Sequence, residues 1–398
     1  MLFFRKDYGL GKDKIYKKKI IKQLYFNEIL SCTEISEKIN KSIPFTTRII
    51  DKLIEEGTVR INGLATSTGG RKPKTYSLVT QKMYVAAMAI DQVETRMVIS
   101  DLGNSRIIID EVLPLTLLDN DKALKQITHF ACSVLEKSNT CPDKLVGLGI
   151  SMPGFINVKK GINHSFIPTN GVNIVDHLSS AVNTPVYIGN DSSLVALGEL
   201  RFGAAQNSKN VMTVNIGWGV GLGMILKGQL FSGENGYAGE LSHIPLFDNQ
   251  KICECGKTGC LETEASLYSL IEKAKARGGE EEVTTMEIIN LQKPKETIYH
   301  IFKYAQKGDR FAISLLSEMG YKIGRGLAIL IHLMNPELII LSGIGAQVGR
   351  LWEAPMQQAI NEHCIPKLSE NTQLVVSDLK DRAALIGAAS LVMDNYGK

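Results

Sequence analysis

Apolar positions repeat with a helical period at the start of this chain. Through residues 14–30, Ile20, Ile21, Leu24 and Tyr25 recur at three- and four-residue offsets, which predicts an amphipathic helix. Ser31-Cys32-Thr33-Glu34 matches a capping box, in which serine and glutamate satisfy each other's backbone amides, so a second helix opens there with Ile35 and Ile39 inward. After a turn at Asn40-Lys41-Ser42, Pro44 suits the first position of a third helix. That helix is expected to run to Glu56, burying Ile49, Ile50, Leu53 and Ile54, with Gly57 closing it. Two β-prone runs, 59–62 and 75–79, bracket the glycine-rich, basic stretch GLATSTGGRKPK. Helix, turn, helix and a basic loop between strands is the layout of a winged helix-turn-helix, expected over residues 14–80.

From residue 83 onward strands alternate with helices. YVAAMAID, RMVISD and SRIIIDEVL read as successive strands, followed by a helix at 121–137 and the buried strand KLVGLGISM. PVYIGND leads into the helix SSLVALGELRFG, and NVMTVNI and VGLGMIL are strands again. A long helix near 310–334, the strand ELIILSG, a helix near 346–362, the strand TQLVVS and a helix from Arg382 complete the series. Residues 278–297 read as an irregular excursion. Two rounds of three strands, helix, strand, helix predict an α/β body of two lobes, 83–190 and 191–398, with a cleft between them.

Charge sharpens the first unit. Residues 1–82 hold 17 Lys/Arg against 8 Asp/Glu, whereas the remainder holds 28 against 33. A basic end on an acidic body fits a chain that lays one end on a polyanion; a merely solvated lysine-rich helix is the alternative on charge alone. Pro44, Phe45, Thr46, Thr47, Arg48 and Lys52 are expected to face outward, toward base edges in a major groove. Gly70, Arg71 and Lys72 are expected to follow phosphates or a minor groove. At 398 residues, with 44% apolar and 22% charged, the composition is that of a globular protein. No run approaches the roughly 18 apolar residues of a membrane span. The first residues lack a secretory signal, so a cytoplasmic location is expected.

The densest chemistry lies in ELSHIPLFDNQKICECGKTGCLE. His243, Cys253, Cys255 and Cys260 make a three-thiolate, one-imidazole set that suits a structural zinc ion, with Gly256 and Gly259 allowing a tight loop. Ordinary thiols or a disulfide are the alternative. Cys32, Cys132, Cys141 and Cys364 are scattered, as core thiols are. Asn190-Asp191, an amide and a carboxylate at a strand's carboxyl end, suit two neighbouring sugar hydroxyls; they equally suit helix capping. Gly154 either admits a ligand to the backbone or makes a turn.

In GELSHI followed by CECGKTGCLE, and in GISMPGFIN, GNDSSLVALGE and NPELIILSGIG, the chain resembles the ROK family from residue 14 onward. That family unites sugar kinases and sugar-responsive repressors on an actin-like, hexokinase-like fold of the ribonuclease H type, and the first unit, ending in GGRKP, resembles the repressor branch. The resemblance implies that Asp191 stands where the kinases hold their base, and that Glu240, His243 and Glu262 are sugar ligands, His243 serving metal and sugar with one ring nitrogen each. Asn170 is a further candidate. Family kinases cradle phosphate with Asp-x-Gly-Gly-Thr and Gly-Thr-Gly-x-Gly-Gly-Gly; here the stretches are Asp91-Gln92-Val93-Glu94-Thr95 and Gly217-Trp218-Gly219-Val220-Gly221-Leu222-Gly223. Side chains where bare amides should meet oxygens argue against phosphoryl transfer. The expectation is therefore a non-enzymatic regulator, a repressor that binds double-stranded operator DNA and a small sugar or sugar phosphate as a homodimer or homotetramer. A sugar kinase with a fused DNA-binding end is the alternative.

Overall fold

The computed structural model describes residues 5–64, 73–167, 172–277 and 293–398, with side chains from Gly11 onward. The first unit comprises helix α1 (Arg5–Asn27), strand β1 (Leu30–Ser31), helices α2 (Cys32–Lys38) and α3 (Ile43–Glu55), and strands β2 (Val59–Leu64) and β3 (Lys74–Leu78). The strands form an antiparallel sheet in the order β1-β3-β2. The capping box closes as expected: the Ser31 amide donates to Glu34 at 2.7 Å and the Glu34 amide to the Ser31 hydroxyl at 3.3 Å. Ile20, Leu24, Ile35, Ile49, Ile50 and Leu53 are buried. Thr46, expected outward, is wholly buried, its hydroxyl donating to the Ser42 carbonyl at 3.0 Å. It shares a face with Ile49, Ile50 and Leu53 through three- and four-residue offsets. Ile54, at the margin of that face, is only half-buried.

The body holds two five-stranded sheets. The first takes β4 (Tyr84–Ile90), β5 (Glu94–Asp101), β6 (Ile107–Pro114), β7 (Leu145–Met152) and β10 (Val186–Asn190) in the order β10-β7-β4-β5-β6. Helices α4 (Ala123–Lys137) and α5 (Ile174–Val182) bury Ile127, Ala131, Ile174 and Leu178 against its outer face, and β8 (Ile156–Asn157) pairs with β9 (Ile162–Asn163) beside it. Helix α6 (Asp191–Phe202) follows β10 directly. The second sheet, in the order β13-β12-β11-β14-β15, takes β11 (Val211–Ile216), β12 (Val220–Leu226), β13 (Gln229–Phe231), β14 (Leu338–Ser342) and β15 (Gln373–Val376). Around it lie α7 (Glu262–Ala265), α8 (Leu267–Arg277), α9 (Pro294–Gln306), α10 (Arg310–Met334), α11 (Glu353–His363) and α12 (Pro366–Ser369). Phe311, Met319, Ile323 and Trp352 fill their shared core. Pro294 opens α9 inside the stretch expected to be irregular; residues 278–292 lie outside the described residues.

The last helix, α13 (Ala383–Asn395), expected with the second lobe, packs instead on β4 and β7, while α6 packs on β12. The two helices therefore sit face to face between the sheets. Their crossing has no room for side chains: a Cβ on Gly387 would come within 1.8 Å of the Leu194 carbonyl oxygen, and one on Gly198 within 2.6 Å of that of Ala383. Only glycine permits backbones that close. The far ends of α6 and α13 receive α1. Lys22 pairs with Asp394 at 2.9 Å, Arg201 joins the same carboxylate at 2.8 Å, and Tyr25 meets Phe202 edge-on at 5.7 Å. One continuous apolar cluster thus runs from Ile20, Leu24 and Ile49 to Val85, Leu194 and Val392. Among the described residues, no helix is long and apolar enough to cross a membrane.

Candidate functional site

A cleft of about 750 Å³ opens between the sheets at the carboxyl ends of β7 and β10 and the turn from β11 to β12. Gly154, Asn190, Asp191, Glu240, His243 and Glu262 all line it. Asn190 caps α6: its side-chain oxygen accepts from the Ser193 amide at 3.1 Å and its amino group donates to the Gly154 carbonyl at 3.3 Å. Gly154 itself has φ +90°, and a Cβ there would strike Ser165 at 2.6 Å, so loop packing accounts for this glycine. Asp191 is held by the Ser192 amide at 2.7 Å and by Asn215 at 3.3 Å. Burial pushes its carboxyl up to about 6, against the pull of the Ser192 donors, with the Glu240 and Asp91 charges adding to the rise. Burial raises Glu240 and Glu262 as well. Glu262 accepts from the Val220 amide at 3.3 Å, and Gly219 leaves it space, since a Cβ there would lie 2.7 Å from its carboxylate.

His243 faces two ways. Its Nδ1 lies 3.5 Å from the Cys253 sulfur, and its Nε2 lies 3.8 Å from the Glu240 carboxylate. The sulfurs of Cys255 and Cys260 are 3.6 Å apart, and the four donor atoms of His243, Cys253, Cys255 and Cys260 lie within 4.8 Å of one another. No disulfide forms; all three thiols are free. The cluster could hold a metal ion.

The stretches at 91–95 and 217–223 make side-chain contacts of their own. Asp91 turns back on its own loop, Oδ1 accepting from the amides of Val93 and Glu94 at 2.8 Å each. Those amides are spent internally, and Glu94 pairs with Lys295. Trp218, 5% exposed, stacks on Tyr268 at 5.0 Å. Its buried indole N–H faces the Asp91 carboxylate, which it helps to keep charged against burial.

On the first unit, Pro44 is exposed and Thr47 half-buried, its hydroxyl donating to the Ile43 carbonyl at 3.0 Å. Phe45 is drawn partly inward, edge-on to Tyr16 at 5.0 Å. Arg48 and Lys52 do face outward, but both are tied to Asp13 of α1: the guanidinium forks onto its carboxylate at 2.8 and 2.9 Å, and the ammonium lies at 2.7 Å. Those contacts, the Arg48 bond first, hold the Asp13 carboxyl well below the ordinary range. Gly70, Arg71, Lys72 and Asn170 lie outside the described residues. Asn215, Asp13 and Lys295 are not legible as site residues from the sequence; Asn215 carries a faint signal as the polar residue near the end of NVMTVNI, and the other two carry none.

The ROK family profile matches residues 104–395, more than half of the chain. The chain belongs to the ROK family. Among ROK relatives, a xylose repressor of Caldicellulosiruptor bescii is 28% identical over 389 residues, covering 96% of each chain. The crystal structure of a ROK family transcriptional regulator described as a homologue of the E. coli MLC protein superposes with a TM-score of 0.77 at 23% identity, covering 96% of both chains. A ROK family glucokinase from Streptomyces griseus, in complex with glucose and AMPPNP, superposes with a TM-score of 0.67 at 25% identity, covering 77% of this chain and 98% of its own. The two-lobed α/β body is thus common to ROK regulators and ROK sugar kinases.

Proposed function

We propose that the chain is a sugar-responsive transcriptional repressor, with a winged helix-turn-helix at residues 14–80 for operator DNA and a sugar site in the interlobe cleft. One observation carries the reading. The cleft keeps a converging set of hydroxyl acceptors and donors in Asn190, Asp191, Glu240, His243 and Glu262, while the loop opposite has closed its amides on Asp91. Hydroxyl recognition needs the first; phosphoryl transfer needs free amides in the second. The xylose repressor aligned over nearly the whole chain, first unit included, supports the same conclusion. Asp191 is then a sugar ligand without a catalytic role.

The charge of the cleft favours a neutral sugar over a sugar phosphate. Seven Asp/Glu line it against three Lys/Arg. Of those cations, Arg96 is engaged by Asp110 at 2.7 Å and Lys295 by Glu94. A dianionic phosphate would meet net repulsion there. The His243 cluster fits zinc. Zn–S and Zn–N bonds of ~2.3 and ~2.0 Å in a tetrahedron put donor atoms ~3.5 to 3.8 Å apart. The His243–Cys253 and Cys255–Cys260 spacings are 3.5 and 3.6 Å. Burial pushes the Cys260 thiol up to about 12, so a cation is what would keep it a thiolate at neutral pH. A zinc ion there would fix the His243 ring and hold Glu240 and Glu262 at the cleft wall. The lobes at 83–190 and 191–398 share α13, and a homodimer or homotetramer would match symmetric half-sites.

The test uses purified full-length protein and a duplex that it selects from a random pool. D-xylose, D-glucose or N-acetylglucosamine should shift the affinity for that duplex, and ATP with magnesium and the same sugars should yield no sugar phosphate. Turnover that vanishes in Asp191→Asn would establish the kinase reading instead.

A further inference from the structure

Two groups of contacts tie α1 to the rest of the chain, one at each half of the helix. One joins its second half to the body through Lys22, Tyr25 and Phe26. The other joins its first half to α3 through Asp13 and Tyr16. We infer that α1 transmits occupancy of the cleft to α3, acting as a rod whose two ends rest on the cleft-lining helices and on the cations of α3. The inference rests on the repressor reading and names how that site is regulated.

The path begins in the cleft. α6 starts there at Asp191, and α13 contributes Ala384 and Leu385 to the lining. Both helices are about 18 to 20 Å long, so their other ends emerge well away from any sugar. In between they interlock at Gly198 and Gly387, with backbone against backbone. A close-packed crossing of this kind cannot yield locally, so a shift at the cleft moves the helices together. At the far ends, Asp394 of α13 takes both Arg201 of α6 and Lys22 of α1, while Arg201 lies 4.6 Å over the ring of Phe26. Body and rod are therefore tied through one carboxylate that serves both helices.

The output is the charge presented by α3. With both terminal nitrogens of Arg48 on Asp13, its fork is not free for a guanine edge or a phosphate. Lys52 shares the same acceptor. Movement of α1 relative to α3 changes how many of these two cations are available to DNA. A sugar acts through this route only by binding one arrangement more tightly than the other, and the effect is reciprocal.

The experiment compares full-length wild type with Asp394→Asn, Lys22→Gln and Asp13→Asn. The probe is the selected duplex, titrated with and without whichever of D-xylose, D-glucose and N-acetylglucosamine raises the wild-type melting temperature. Asp394→Asn should bind that sugar within about twofold of wild type, yet lose about fivefold or more of the change in duplex Kd that sugar produces. Lys22→Gln, a surface change at the same contact, should do the same and carries the test if the first variant fails to fold. Asp13→Asn should bind the duplex more tightly and steepen the salt dependence by about one in log–log slope, with sugar affinity unchanged. Full sugar response in both contact variants overturns the rod, and weaker duplex binding by Asp13→Asn overturns its output. Wild-type protein that binds sugar and duplex with no mutual effect overturns the repressor reading itself, before any variant is made.

Discussion

Asp191 gives a prediction with a sign and a size. A carboxyl raised from 3.8 to about 6 binds its proton more tightly in the native state than in the unfolded chain. Its burden is absent below the unfolded value, grows as pH rises through the interval, and is complete above about pH 6. At ~1.4 kcal/mol per unit the ceiling is ~3 kcal/mol. Two effects reduce it. The cleft leaves Asp191 partly accessible to water, and an amide would lose part of the hydrogen bonding with Ser192 and Asn215, worth ~1 kcal/mol. Asp191→Asn should therefore stabilise the sugar-free protein by ~1–2 kcal/mol at pH 8, raising the melting temperature by a few degrees. The gain should shrink steadily as pH falls from 6 to 4 and vanish below 3.8, where both states carry the proton. Thermal melts of both proteins from pH 4 to 8 check it, with sugar titrations alongside to register the lost ligand. An asparagine variant that melts lower at pH 8, or a gain that does not change with pH, would refute the assignment of Asp191 as a buried, charge-burdened cleft ligand.

Three further outcomes are expected. Chelation, or Cys260→Ser, should remove one zinc per chain and lower both melting temperature and sugar affinity; elemental analysis finding no zinc in the wild type would end that reading. Thr46→Ala should cost ~1 kcal/mol of stability by removing the hydrogen bond of a buried hydroxyl, the Ser42 carbonyl keeping the Thr46 amide, while the selected duplex sequence stays the same, whereas Arg48→Ala should change it. Repeating the pool selection with each variant separates the two. Arg71→Ala should weaken binding and reduce the log–log salt slope by about one, measured by titration from low to moderate salt; an unchanged slope would remove that residue from phosphate contact.

Local rules made much of this chain legible. The Ser31–Glu34 reciprocal cap, the apolar stripe of α3 and the strands of both sheets other than the short β13 follow from period, propensity and hydrogen-bonding geometry, all of which act within a few residues. The polarity of Thr46 suggests an outward side chain, whereas its spacing from Ile49, Ile50 and Leu53 puts it inside. Pro294 is a helix-opening signal set among lysines and glutamates that mask it. Other features are non-local. That α13 crosses back to β4 and β7, and that Asp13 reaches Arg48 across 35 residues, are matters of tertiary packing that no short window encodes. In the cleft, the residue types of Asn190, Asp191, Glu240 and His243 were readable, but the turning of Asp91 onto its own amides was not, because an aspartate before two small turns looks the same whether or not it closes.

The apolar cluster that runs unbroken from Ile20 and Leu53 to Leu194 and Met393 has a practical corollary. The first unit owns no private interior, so calorimetry should register it and the neighbouring sheet as a single cooperative transition. A substitution deep in the body can then abolish operator affinity simply by lowering global stability. Assigning such a loss to signalling requires a melting curve measured beside every binding curve.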